Sequence, residues 1–144
     1  MTLLLLIIAA TVSYTLFDVF ASRAGNRIDS NLSAFLFNII GAAIPIVIYV
    51  FLKFGKKTAL IAATSSGIIY SVLAGVSVAL FSILLIKVFE KGGLAYVMPL
   101  IYGGSIVLAS LIGWLLFKES ISTLHFAGMA TVIVGIVLII VSKI

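Results

Sequence analysis

An all-α membrane protein of five transmembrane helices is the fold class this sequence predicts, on three observations. Five apolar runs, near residues 3–21, 32–52, 66–87, 94–117 and 124–142, take up most of the 144 residues, and charge is crowded into the gaps between them. A helix rises about 1.5 Å per residue, so roughly 20 apolar residues cross a hydrocarbon core about 30 Å thick. With 64% hydrophobic and 9% charged residues, the chain has too little polar surface to cover a soluble globule. Its mean hydropathy of +1.42 agrees.

The elements follow in order. No Lys or Arg precedes Leu3, and the first run already carries Thr11, Ser13 and Tyr14, so a membrane helix is expected there and not a cleaved leader. The connection Ser22 to Asn31 holds the turn formers Gly25 and Asn26, and Asp29 to Asn31 offer N-cap oxygens to the second helix. The second gap, Lys53 to Ser66, contains Lys56 and Lys57 and has room for an interfacial turn. In the third, Phe89 to Gly93, Gly92 fits a C-cap glycine followed by a tight reversal. The fourth, Lys118 to Ser122, is short enough to force the last two helices into an antiparallel hairpin. No gap is long enough to separate domains, so residues 1–144 are expected to form one five-helix membrane domain.

An odd helix number puts the two ends of the chain on opposite faces of the membrane. One face then carries Lys53, Lys56, Lys57 and Lys118, and the other Arg23, Arg27, Lys87, Lys91 and Lys143. Four against five is almost no bias, whereas a fixed orientation usually comes with a clear excess on the cytoplasmic side. Either a preference is hidden by poorly counted residues such as Lys143, or copies insert both ways. The net charge of +5 is scattered through the loops and forms no basic face, which argues for membrane-flanking cations and against nucleic acid. Enzymatic chemistry lacks its inventory. Cysteine is absent, the sole His125 has no second ligand for a metal site, and no Gly-rich phosphate loop with Lys appears, so neither metal nor cofactor is expected.

The C-terminal half carries a resemblance. Ala95-Tyr96-Val97-Met98-Pro99-Leu100, then Gly113 to Ser120, then Gly128-Met129-Ala130 and Gly135-Ile136-Val137 look like the last two helices of the drug/metabolite transporter superfamily. The likeness is strongest over residues 67–144. Within that superfamily the five-helix count resembles one EamA-type unit, while the last two helices are also similar to those of small multidrug resistance proteins. EamA-type units normally occur twice in a chain as inverted halves. The resemblance therefore implies an antiparallel homodimer, a ten-helix carrier in the cell membrane that moves a small organic solute by alternating access. A non-transporting membrane subunit, or a helper that flips a lipid carrier with a partner chain, is the alternative.

Where a small multidrug resistance protein places its proton-coupling glutamate, this chain has Ser13-Tyr14-Thr15 and no acid. Asp18 lies one turn later, with Asn38 and Lys87 toward the same face by depth; it is either a gate or ion site with Lys87, or a helix-end Asp reaching toward Arg23 or Lys87. Thr11, Ser13, Tyr14, Ser77, Tyr102 and Ser105 lie within about two turns of their helix centres and, with Asn38, are candidate substrate contacts. By resemblance Tyr96 and Trp114 line a cavity, although tyrosine and tryptophan at helix ends also anchor membrane helices. Gly67, Ser71, Gly75 and Ala79 form a small-residue stripe on the third helix. On the fifth, Gly128, Thr131 and Gly135 share a face, where by resemblance units meet. Pro45 and Pro99 remove backbone donors inside the second and fourth helices, giving either static bends or kinks that move.

Overall fold

The computed structural model describes residues 3–54 and 64–142. Over these the chain forms α1 (Leu3–Ala24), α2 (Ser30–Phe54), α3 (Ser65–Phe89), α4 (Leu94–Leu115) and α5 (Thr123–Val141), each long and apolar enough to cross a membrane. The expected boundaries hold to within three residues. Lys56, Lys57 and the turn expected around them lie outside the described residues, as does Lys143.

Local chemistry sets the helix ends. The carboxylate of Asp29 accepts from the amides of Asn31 and Leu32 at 2.9 and 3.1 Å, capping α2. The Leu32 amide bond, helped by a second from Asn31 and by the charge of Lys87, holds Asp29 below the usual carboxylate range. Its contribution to stability is therefore present above the ordinary pKa and disappears as pH falls through the lowered one. Thr64 and Ser122 cap α3 and α5, accepting from Gly67 and His125 at 3.2 Å each. Gly92 does not act as the expected left-handed cap: no described glycine has a positive φ, and α3 closes through Glu90, whose amide donates to Ile86 at 3.0 Å. The left-handed residues are Asn26 and Lys118, with φ of 61° and 54°. Asn tolerates that region through its short polar side chain, while Lys pays roughly 1 kcal/mol for it. At Lys118 the conformation turns the chain so that the Glu119 amide donates to the Gly113 carbonyl at 3.1 Å.

The helices fall into two compact units, Met1–Lys91 and Gly92–Ile144. In the first, burial is confined to one membrane end. Asp18 and Ala21 of α1, Ser30, Ser33 and Ala34 of α2, and Ser82, Leu85, Ile86 and Phe89 of α3 are buried, whereas described residues of α2 beyond Ile39 and of α3 before Leu80 are almost all exposed. Gly25 belongs to that packed end: a Cβ there would stand 3.3 Å from Cβ of Phe89, and Asn26 donates across to the Glu90 carbonyl at 3.3 Å. A side chain at Gly25 would require the first connection or the end of α3 to shift by a few tenths of an ångström.

The second unit is the expected antiparallel hairpin. Gly103 is buried in α4 where a Cβ would meet Ile136 Cδ1 at 2.9 Å and Val132 Cγ1 at 3.4 Å. Nearer the connection His125 Nε2 and Ser110 Oγ are 3.1 Å apart, and Trp114 meets Phe126 edge-on at 5.7 Å. The contacts thus pair rising α4 numbers with falling α5 numbers. Lipid supplies little drive for helices to associate, so close backbone approach at Gly103 carries the packing.

Replacing Gly103 by Leu is expected to lower the unfolding midpoint, with a loss of about 1–3 kcal/mol from overpacking. Gly104→Leu, where a Cβ has nothing within 4 Å, is expected to be near neutral. Thermal unfolding of the two variants in one detergent checks the contrast.

Candidate functional site

The polar residues of the first unit organise around a node at its packed end. Asn38 Nδ2 donates to the Ala34 carbonyl at 2.7 Å and to Ser82 Oγ at 3.0 Å, which joins α2 to α3. Ser82 passes its own proton to the Val78 carbonyl at 2.6 Å. Ser82 is 1% exposed and Asp18 3%. By helix rise, Asp18, Asn38 and Ser82 each lie roughly 6–8 Å from their helix centres, in the half of the unit that is packed. An acid at such depth costs roughly 2.5–3.5 kcal/mol unless it is partnered or wet. Asp18 is engaged in contacts of its own, and every fully buried polar side-chain atom among the described residues is hydrogen-bonded. Lys87 is exposed at the last turn of α3, where its charge acts on Asp29.

From this node the inward faces of α1 and α3 continue toward the unpacked end. Thr11, Tyr14, Thr15 and Asp18 stand at i, i+3, i+4 and i+7, so they form one stripe on α1 that prolongs its buried face. Ser13 falls on the opposite side of that helix. On α3, Ser71 and Gly75 share the face of Ser82, while Ser77 is turned well away from it. Gly75 and Ala79 line a groove of about 460 Å³ with Asn38, Ala34 and Phe35 of α2, and nothing stands within 4 Å of a Cβ placed at Gly75. A second groove of about 430 Å³ lies between α1 and α2, walled by Phe17, Phe20, Leu36 and Phe37. Phe17 meets Phe37 edge-on at 5.1 Å and Tyr14 in a tilted contact at 5.8 Å.

Hydroxyls along these helices bond back to their own backbone. Thr11 donates to Ile7 at 2.9 Å, Thr15 to Thr11 at 2.8 Å, Ser71 to Gly67 at 2.8 Å and Ser77 to Leu73 at 2.9 Å. Each therefore turns lone pairs, and not a proton, toward its surroundings.

In the second unit Tyr96 and Tyr102 are half-buried and engaged in contacts of their own, and Ser105 is exposed, donating to the Tyr102 carbonyl at 2.9 Å. Trp114 is 45% exposed, its ring against Phe126. On α5, Gly128 and Gly135 have nothing within 4 Å of an added Cβ, and Thr131 between them donates to Ala127 at 3.0 Å. That face is open within its unit.

From sequence alone Ser82 has no assigned role, Thr15 appears only beside Tyr14, and Ser71 only as part of a small-residue stripe. A signal existed for Ser82: a lone amide in an apolar helix needs a partner, and Ser82 is the polar residue of α3 at the depth of Asn38.

Five helices long and apolar enough to span a membrane define a multi-pass integral membrane protein. The model of the EamA-like transporter family matches residues 1–141, and the chain belongs to that family. The more local likeness to small multidrug resistance proteins is not part of this match. Comparison with curated proteins and with solved structures gave no match.

A double-mutant cycle of Asn38→Ala and Ser82→Ala is expected to return a coupling of about 0.6–1.7 kcal/mol, the range found for hydrogen bonds between membrane helices. The measurement is unfolding free energy in mixed micelles; strict additivity would mean that the α2–α3 contact is held by something else.

Proposed function

We propose that the chain moves a small organic solute across the cell membrane by alternating access, its five helices acting as one transport unit that pairs with a second, inverted copy of itself. The reading starts from the family match over residues 1–141. The observation that carries it further is the shape of the first unit, packed at one membrane end and unpacked at the other, with Thr11, Tyr14 and Ser71 on the faces that continue from the node. Helices held at one end and free at the other can tilt to admit a solute without breaking the polar bonds of the node. Tyr14 and Tyr102, with a broad apolar face and one hydroxyl each, suit an amphipathic solute. Asn38 and Thr11 in the first unit, and Ser105, Tyr96 and Trp114 in the second, stay as further candidate contacts. Ser13 and Ser77 are weaker ones, because they point away from the stripes on their helices.

Inverted pairing is supported by the balance of four Lys against five Lys and Arg in the loops. The open face of Gly128, Thr131 and Gly135 on α5 suits the contact between copies, since helices in lipid associate where backbones come close. Asp18 in this reading sits at the floor of the pathway as a gate, while Lys87 stays at the membrane face.

Single cysteines at Ser22 and Ser142, in a chain that has no Cys of its own, are expected to be labelled by a membrane-impermeant reagent from both sides of sealed vesicles. Labelling of each from one side only would contradict dual insertion. Gly135→Leu is expected to shift the solubilised protein toward monomer and abolish solute flux in proteoliposomes, whereas Ile139→Leu does neither; a fully active Gly135→Leu dimer would move the interface to another helix.

A further inference from the structure

We propose that the solute is a protonated amine carrying N–H donors on an apolar or aromatic body, bound along the inward faces of the first unit. This deepens the transport reading and rests on it. The argument is the donor and acceptor balance of the surface. Thr11, Thr15 and Ser71 each give their one hydroxyl proton to the carbonyl four residues back, at 2.8 to 2.9 Å. Asn38 uses its Nδ2 on Ala34 and Ser82, so Oδ1 is the end it has left to offer. These side chains come from three helices, and all present lone pairs.

Charge points the same way. Between residues 3 and 22, 30 and 52, and 64 and 86 there is no Lys, Arg or His, and the one carboxyl is that of Asp18. A carboxylate or phosphate solute would enter this unit with no counter-charge and few donors, a heavy penalty in a medium of low dielectric constant. An ammonium group meets the opposite situation: several acceptors for its N–H bonds, a carboxyl at the floor, and the rings of Tyr14, Phe17 and Phe37 for the apolar part and for cation–π attraction. Asp18 has contacts of its own and acts here through its field, not as a required ligand. Because the recognising atoms are acceptors, the N–H groups matter and not positive charge alone.

Three probes with a common phenylethyl body separate these ideas: 2-phenylethylammonium, its N,N,N-trimethyl analogue and 3-phenylpropanoate. Calorimetric titration of the purified protein at pH 7 is expected to give tightest binding for the primary ammonium. The trimethyl compound, which leaves the acceptors unpaired, is expected to bind at least about tenfold more weakly, and the carboxylate more weakly still. Thr11→Val with Thr15→Val should cost about tenfold for the primary ammonium and nothing for the trimethyl compound, while Thr11→Ser with Thr15→Ser restores the affinity. A preference for the carboxylate, equal affinity for the two cations, no binding of any probe, or unchanged binding in the Val variants would each overturn the proposal. Flux of the same probes into proteoliposomes keeps the two readings apart. Uptake of the carboxylate alone would leave transport standing and remove the amine preference; selective amine binding with no flux of any probe would support the preference and remove transport.

Discussion

The hydrogen bond from Asn38 Nδ2 to Ser82 Oγ, 3.0 Å long and deep in an otherwise apolar pair of helices, is the interaction on which the first unit depends. In water an amphipathic helix is held by the apolar face it hides. In a bilayer that force is missing, because the lipid is as apolar as the helix, and what remains is tight packing and polar bonds between helices. The pattern of burial reflects this. The described apolar core is made of few residues, among them Ala21, Ala34, Leu85, Ile86 and Phe89, and its fully buried centre includes a serine. Large apolar side chains from Leu3 to Val141 face outward instead.

The same constraint shapes the proposed site. Where Asn38 bonds to Ser82, α2 and α3 close up with α1; where α2 and α3 offer Ile44, Val47, Ile69 and Leu73, no side-chain bond joins them among the described residues and they stay exposed. Closure at one end leaves Thr11, Tyr14, Thr15 and Ser71 on inward faces without burying them. The hydroxyls of Thr11, Thr15 and Ser71 then turn to the one acceptor always within reach, the carbonyl one turn back. This local economy fixes the hydrogen-bonding character of the surface before any solute arrives. In the second unit glycine does the work of the polar node: Gly103 brings α4 onto Val132 and Ile136, while Gly128 and Gly135 leave an equally close approach open on α5.

How far the sequence reveals this follows from what each signal measures. Helix number and span are readable because membrane thickness dictates them, and Leu3, Ser30 and Thr123 open their helices within two residues of expectation. The transporter family is readable from Tyr96, Pro99, Gly113 and the paired glycines of α5. Depth is readable too, which is why Asp18 and Asn38 fall at one level. Azimuth is not, while the inward direction of a helix is unknown: depth alone treats Ser13 and Tyr14 alike, although only Tyr14 stands on the stripe that runs to Asp18, and ranks Ser77 above Ser71. Close contacts are equally silent. Gly103 has no local pattern that reports its role, which is set by Ile136 more than thirty residues away. Gly92 reads as a cap because of its position, but Glu90 had already closed α3.

The proposed transport requires the first unit to stay fixed at its polar end and to move at the other. Pulsed electron–electron distance measurements on two spin-labelled pairs in lipid nanodiscs test it most directly. One pair, Ser22 with Val88, spans the packed end; the other, Leu6 with Ile69, spans the unpacked end. A single narrow distance at the packed end, with two populations at the unpacked end whose balance changes when 2-phenylethylammonium is added, is the result this account predicts. One narrow distance at both ends, or two populations at the packed end, would contradict it.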